Sequence, residues 1–252
     1  MYLPIPPQPD CAAAWLEAAR QVNDQPGHEA HDVVIDVINP TSGATLDDPI
    51  VANVNDFLVA REKSIETIAN TIFPQALYLR HGAPDFIDIF HDKILPKVRK
   101  NARWSGYYFE RMTRMPTRAG GTINQLWNIV SRMRDGNNRS LNKFELSLFD
   151  PERDVDGSPY GGQCLSFLSF KLLSRRPKQL RLTAMYRNHY YTEKLLGNLI
   201  GLGRLMAFVA RETETSIGSL IVHSTHAQID TPRSTRQDVA KLLEHCAQAR
   251  AD

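Results

Sequence analysis

Cysteine is scarce. Cys11, Cys164 and Cys246 are the only three in 252 residues, an odd number at no metal-like spacing, so neither a disulfide framework nor a zinc cluster is indicated. A reducing, cytoplasmic setting is the expectation. An excess of one charge is missing too: 30 basic against 28 acidic residues leave a formal +2, too near balance for bulk electrostatics to draw a nucleic acid or a membrane. Any bound anion must meet a local cluster. No apolar run reaches the roughly 18 to 20 residues that span a bilayer. The opening MYLPIPPQPD lacks the basic-then-apolar order of a signal peptide. With no repeat, linker or biased insert, a single domain over residues 1–252 is expected, with 1–10 as an extended, proline-rich arm.

What is present is the composition of an ordinary folded domain, 42% hydrophobic and 23% charged. A helix is expected over 12–22, where Trp15, Leu16, Ala19 and Val22 lie near one face. The β-branched run 33–38 reads as a strand that ends in the turn formers Asn39-Pro40-Thr41-Ser42-Gly43. Ile65, Ile68 and Ile72 predict a helix over about 62–73, stopped by Pro74. Residues 101–115 show no clean period and read as loop. Thr122 is a candidate cap for a helix carrying Ile123, Leu126, Trp127, Val130 and Met133. Phe144, Leu146 and Leu148 alternate as a strand does. Runs 164–173 and 180–186 read as two strands pairing across Ser174-Arg175-Arg176-Pro177. Leu195, Leu199, Leu202, Met206 and Val209 mark one long helix, followed by a strand over 219–225 and a helix over 236–250. The class is α+β, a mixed or mostly antiparallel sheet packed with helices.

Few residues invite chemistry. His28 and His31 are three apart after Pro26-Gly27, one short of the helical pair a zincin needs, so a solvated loop is expected. His223 and His226 share that spacing on a strand, where an odd offset sends the rings to opposite faces. Gly197, Gly201 and Gly203 fall inside the long helix, which points to close helix packing and away from a phosphate loop. Arg175 and Arg176, adjacent in a turn, are expected to be solvated. Cys164 stands apart because it opens a strand after Tyr160-Gly161-Gly162-Gln163, and a strand end facing a cleft suits a nucleophile. Spacing alone leaves that thiol as either a nucleophile or plain core.

Order sharpens the reading. Cys164 is followed by Tyr186-Arg187-Asn188 at the end of the next strand, and Asn198 lies eleven residues beyond Arg187. Ser224-Thr225-His226-Ala227-Gln228 closes the last strand, and Ser147-Leu148-Phe149-Asp150-Pro151 lies upstream. From about Thr122 to Asp230 the chain thus resembles the thymidylate synthase superfamily. It is similar in turn to that family's cysteine-opened strand, its Gln-Arg-Ser-type motif, its asparagine, its Asp-Thr-His-x-Tyr element and its Ser-Ala-Trp-Asn-Pro segment.

The resemblance implies a thymidylate synthase-like fold with one long buried helix, a homodimer, and folate-dependent one-carbon transfer, methylation or hydroxymethylation, to C5 of a pyrimidine nucleotide. Methylene-tetrahydrofolate is the implied donor. Cys164 would add to C6, Arg187 would favour the thiolate and hold phosphate, and Asn198 would read the edge of a uracil-like ring. Asn188, His226 and Gln228 would position phosphate and sugar, and Tyr108, in Tyr108-Phe109-Glu110-Arg111, would be the catalytic tyrosine. No membrane or direct nucleic-acid partner is implied. Asn70 falls where the family carries a proton-handling glutamate, with Glu66 and Glu110 as substitutes; Gln228 replaces a sugar-contacting tyrosine; and Asp252 ends the chain short of the family's folate-covering tail. These departures support a second reading, a degenerate nucleotide-binding or scaffolding protein of the same fold.

Overall fold

The computed structural model describes residues 2–99, 106–152, 154, 162–174 and 178–251. The first ordered element is the proline-rich arm, whose β1 (Leu3–Pro4) lies parallel to β2 (Glu29–Val37) at the sheet edge. Edge placement suits a proline, which has no N–H to give a second neighbour. Ile5 and Gln8 continue the arm, donating to the carbonyls of Val34 and Asp36. Helix α1 (Cys11–Asn23) starts where the Asp10 carboxylate accepts the Ala13 N–H, and it buries Trp15, Leu16, Ala19 and Val22 as their spacing predicts. Trp15 Nε1 donates to the Tyr191 carbonyl at 2.8 Å, so α1 is tied to the chain just before the long helix.

Helices α2 (Pro49–Val59), α3 (Ile65–Ile72), α4 (Gln75–His81), α5 (Asp85–Ile89), α6 (Leu95–Val98) and α7 (Tyr108–Thr113) follow. A small hairpin, β3 (Met115–Pro116) with β4 (Thr122–Ile123), precedes α8 (Gln125–Arg134). The second half holds β5 (Phe144–Ser147), β6 (Leu165–Leu173), β7 (Gln179–Tyr186), β8 (His189–Tyr190), α9 (Leu196–Glu212), β9 (Ser216–Gln228) and α10 (Arg236–Ala251). The sheet runs β1-β2-β9-β7-β6-β5, with β8 alongside β9. Strands β6 and β7 pair antiparallel, the expected hairpin. Strands β7 and β9 are parallel, and the crossover that parallel neighbours require is α9. The domain is therefore α+β with a mixed sheet.

Burial alternates along the strands. Leu180, Leu182, Ala184 and Tyr186 of β7 are buried while Arg181, Thr183 and Met185 are exposed, so helices cover one face and leave the other open. The tightest helix contact is α3 against α9, where a Cβ on Gly201 would stand 2.8 Å from the Ala69 carbonyl oxygen and one on Gly197 2.6 Å from Ile68 Cγ2. The glycines of the long helix thus serve packing.

Several local expectations change. Within 101–115, residues 108–113 form α7 because Phe109 and Met112 have a core to enter; 101–105 lie outside the described residues. Thr122 pairs in β4, and Asn124 caps α8 by accepting the Trp127 N–H at 2.9 Å. Strand β2 begins at Glu29, which puts His31 in the sheet. Helix α2, capped by Asp48 with Pro49 in its first turn, carries a buried stripe of Ile50, Val51, Val54 and Leu58 absent from the sequence reading. Tyr160, Gly161 and the Arg175-Arg176 turn lie outside the described residues. Among those described, no helix is long and apolar enough to cross a membrane.

A candidate active-site cleft

Cys164 sits half-buried just before β6, at the point where β6 begins and β7 ends. Because Leu165 is in register with Tyr186, Arg187 follows directly beside the cysteine, and its N–H donates to the Cys164 carbonyl at 2.9 Å. The Arg187 side chain turns back, Nε donating to the Gln163 carbonyl at 3.1 Å. Gly162 holds a φ of 76°, and a Cβ there would lie 3.1 Å from Asp154 Cβ and 3.5 Å from Arg187 Nη2, so this approach needs glycine. Asp154 is itself fixed by Arg111, whose Nη2 donates to Oδ1 at 2.7 Å while Nη1 reaches Oδ2 and the Leu148 carbonyl. Burial opposes the Asp154 charge, but Arg111 and the Asp150 N–H outweigh it and hold the pKa below the usual carboxylate range.

The thiol faces a cleft of about 760 Å³. Its walls are Thr67, Ile68 and Thr71 of α3, residues 97–99 and 106–108, the loop before β6, and Lys194 with Asn198. Tyr108 is part of that wall, and burial with the neighbouring sulfur pushes its pKa up against the opposing pull of the Leu165 and Cys164 backbone and of Arg187. Burial also pushes the Cys164 thiol up, and Arg187 and Lys194 pull the other way without cancelling it. The unliganded thiol is therefore protonated at neutral pH. Lys97, Arg99 and Lys194 make the lining cationic, and no carboxylate lines it among the described residues.

Asn198, 3% exposed, reaches this cleft from α9. Its Nδ2 lies 3.0 Å from His189 Nε2, and His189 Nδ1 lies 3.0 Å from Ser224 Oγ, which also accepts from the Tyr191 hydroxyl at 3.2 Å. His189 is stacked on Tyr186, ring centroids 3.9 Å apart, and burial lowers its pKa to about 3. A neutral ring has one N–H; with Asn198 donating to Nε2, that proton sits on Nδ1 and goes to Ser224. The amide is thereby held by its nitrogen. A second pocket of about 350 Å³ shares Thr67, Val98 and Tyr107 with the cleft. Pro74, Leu77, Phe90 and Ile94 make it mainly apolar, Arg80 adds a cation, and Asn70 Oδ1 is buried there with no hydrogen-bond partner among the described residues.

Cys164, Tyr108 and Asn198 thus share one cleft, with Arg187 bonded behind the sulfur. The other expected residues do not line it. Asn188 Oδ1 is 2.8 Å from His226 Nδ1, and His226 Nε2 is 3.3 Å from Glu29 Oε2, with His31 beside that ring. Gln228 ends β9 in register with Glu29 and Tyr190. His223 meets Asp32 at 3.0 Å. The expected alternation breaks here: Asp32 has a φ of 53° and burial passes from Ser224 to Ala227, leaving both His223 and His226 half-buried. Among the described residues no group of three or more His, Cys, Asp or Glu could hold a metal. Glu66 is bonded to Arg204, at 2.7 and 3.1 Å, and Glu110 pairs with Arg99 at the rim. Lys97, Arg99, Tyr107 and Lys194 escaped the sequence reading; only Lys194 carried a signal, four residues before Asn198. No protein-family model matches the chain, and no curated protein does.

Proposed function

We propose that this protein is a pyrimidine-nucleotide C5 one-carbon transferase that works through a transient Cys164 adduct. The observation that carries the proposal is a single cationic cleft holding the Cys164 thiol, the Tyr108 hydroxyl and the Asn198 amide, with the Arg187 guanidinium acting on the sulfur. Binding of an anionic nucleotide excludes water, and the surrounding cations then favour the thiolate for addition to C6. Asn198, gripped at its nitrogen by His189, keeps its oxygen and second N–H for a uracil-like edge. Tyr108 stands beside the sulfur to hold or return a proton.

The adjoining pocket fits the pterin of methylene-tetrahydrofolate: apolar walls take a flat ring, the orphaned Asn70 Oδ1 takes an N–H, and Arg80 takes a carboxylate. When bound, that group supplies a carbon at the methylene level. We assign the protein to the cytoplasm and to a homodimer packed through its open sheet face, where Met185 is exposed. A second reading, nucleotide binding without turnover, is favoured by the absence of a lining carboxylate among the described residues and by the amide at Asn70.

The test is release of tritium from C5 of UMP, CMP and their deoxy forms, with and without methylene-tetrahydrofolate. Release that disappears in Cys164→Ala supports the transferase. Release that survives the substitution refutes the nucleophile. Tight nucleotide binding with no release under any condition selects the second reading.

A further inference from the structure

We infer that Lys194 is a catalytic residue of this cleft, the cation that receives the negative charge created on the ring oxygen when Cys164 adds to the pyrimidine. The inference rests on the transferase reading. It answers a problem the cleft poses, namely that addition generates an enolate and no carboxylate with its water lines the walls among the described residues to manage that charge.

Lys194 belongs to the π-helical turn Tyr191–Leu195 that leads into α9, and Asn198 lies one turn further on. The two open onto the same cleft, so a ring oxygen bonded to Asn198 falls within reach of a long, flexible ammonium. Both side chains line the cleft, and Lys194 acts electrostatically on the Cys164 sulfur. One group therefore sees both the attacking sulfur and the oxygen on which the charge ends.

Lys194 shares its carboxylate partner. Glu193 holds Lys194 Nζ at 2.6 Å and also pairs with Lys63, so neither ammonium has that carboxylate to itself and Lys194 keeps N–H donors for a ligand oxygen. Glu193 is in turn fixed through its N–H, which donates to Asp230 Oδ1 at 3.3 Å, while the preceding Thr192 N–H donates at 2.9 Å. The turn that carries the lysine is anchored before any ligand arrives, which is the condition for electrostatic stabilisation without reorganisation.

The step balances without a redox partner. As the nucleotide binds, the Cys164 thiol gives its proton to solvent; the thiolate electron pair then forms the S–C6 bond, the C5=C6 pair shifts towards C4 and its oxygen, and the Lys194 ammonium hydrogen-bonds that oxygen. A solvent proton adds at C5, the original C5 proton leaves, the double bond re-forms and the thiolate departs. The net result in D2O is exchange of hydrogen for deuterium at C5.

That exchange, followed by NMR of UMP and dUMP in D2O, is the test, with nucleotide affinity measured in parallel by calorimetry. Lys194→Met is expected to slow exchange by about 100-fold, the usual cost of losing one oxyanion donor, and by clearly more than any weakening of nucleotide binding that calorimetry reads. Lys194→Arg is expected to recover most of the rate. Exchange at the wild-type rate in Lys194→Met, or a loss fully matched by weaker binding, overturns the inference while leaving the Cys164 reading intact. No exchange by the wild type, or exchange surviving Cys164→Ser, overturns both.

Discussion

The Cys164 cleft and the His226 cluster both draw on the end of the β6-β7-β9 sheet, yet they are built on opposite terms. The cleft is walled by α3 and α9 and leaves polar groups with spare capacity, a thiol and the free edge of Asn198, beside three lining cations of which Arg99 also pairs with Glu110 and Lys194 with Glu193. In the cluster, His226 is bonded at both nitrogens, to Asn188 and to Glu29, and His223 is matched with Asp32. Polar groups that satisfy one another hold strands together; polar groups left waiting bind something else. Motif order alone assigns both sets to one ligand. Geometry separates them.

The widest break between the two regions is expected at Cys164. Cys164→Ala should abolish C5 exchange while nucleotide affinity, measured by calorimetry, changes only slightly. The next effect is on stability and comes from the support behind the cleft. The Arg111 and Asp154 side chains are 9% and 2% exposed, so Arg111→Met would strand a buried carboxylate. A loss of about 3 to 5 kcal/mol is expected from urea unfolding. Asp154→Asn leaves the mostly buried Arg111 guanidinium without its carboxylate and should also destabilise; the double variant should lose less than the sum of the two, and strict additivity would show that packing, not the ion pair, holds the segment beside Gly162 and Arg187.

A pH series sharpens the contrast further. His189 titrates near 6.5 when unfolded but near 3 when buried beside Asn198 and Ser224, and His91 is lowered to about 4, mainly by burial. Between the folded and unfolded values the unfolded chain carries more protons, so stability is full above pH 6.5 or so and drains away as pH falls towards 3. The melting temperature should fall across this window. In His189→Gln the fall should be shallower. A slope unchanged by the substitution would mean that His189 is not buried neutral, and that the amide of Asn198 is not held as described.

What was legible in the sequence follows from locality. The hairpin of β6 and β7 brings a strand start beside a strand end, so Cys164 and Arg187 become neighbours through register alone, and the crossover into α9 delivers Asn198. Residues 97–99 reach the cleft from the end of a segment built of short turns of helix, α4 to α6, and Tyr107 from the start of the equally short α7, all too brief to display a period. Their convergence is a tertiary fact. The exchange of Thr122 for Asn124 as the cap of α8 has the same origin, since β3 claims Thr122 first. The burial of Arg111 against Asp154, 43 positions apart, leaves no trace in local composition.

The smallest effect should come from His226→Ala, and its smallness is the point. His226 and Glu29 are 28% and 47% exposed, a regime in which a pair contributes roughly 0 to 1 kcal/mol. The substitution also frees Asn188, whose amide can turn to water at the same edge. Melting temperature should therefore shift little, and C5 exchange and nucleotide affinity should match the wild type if the cluster is a strand fastener. A tenfold weakening of nucleotide binding with unchanged melting temperature would reverse the division between the two regions, because it would require a ligand that displaces Glu29 and takes the imidazole for itself.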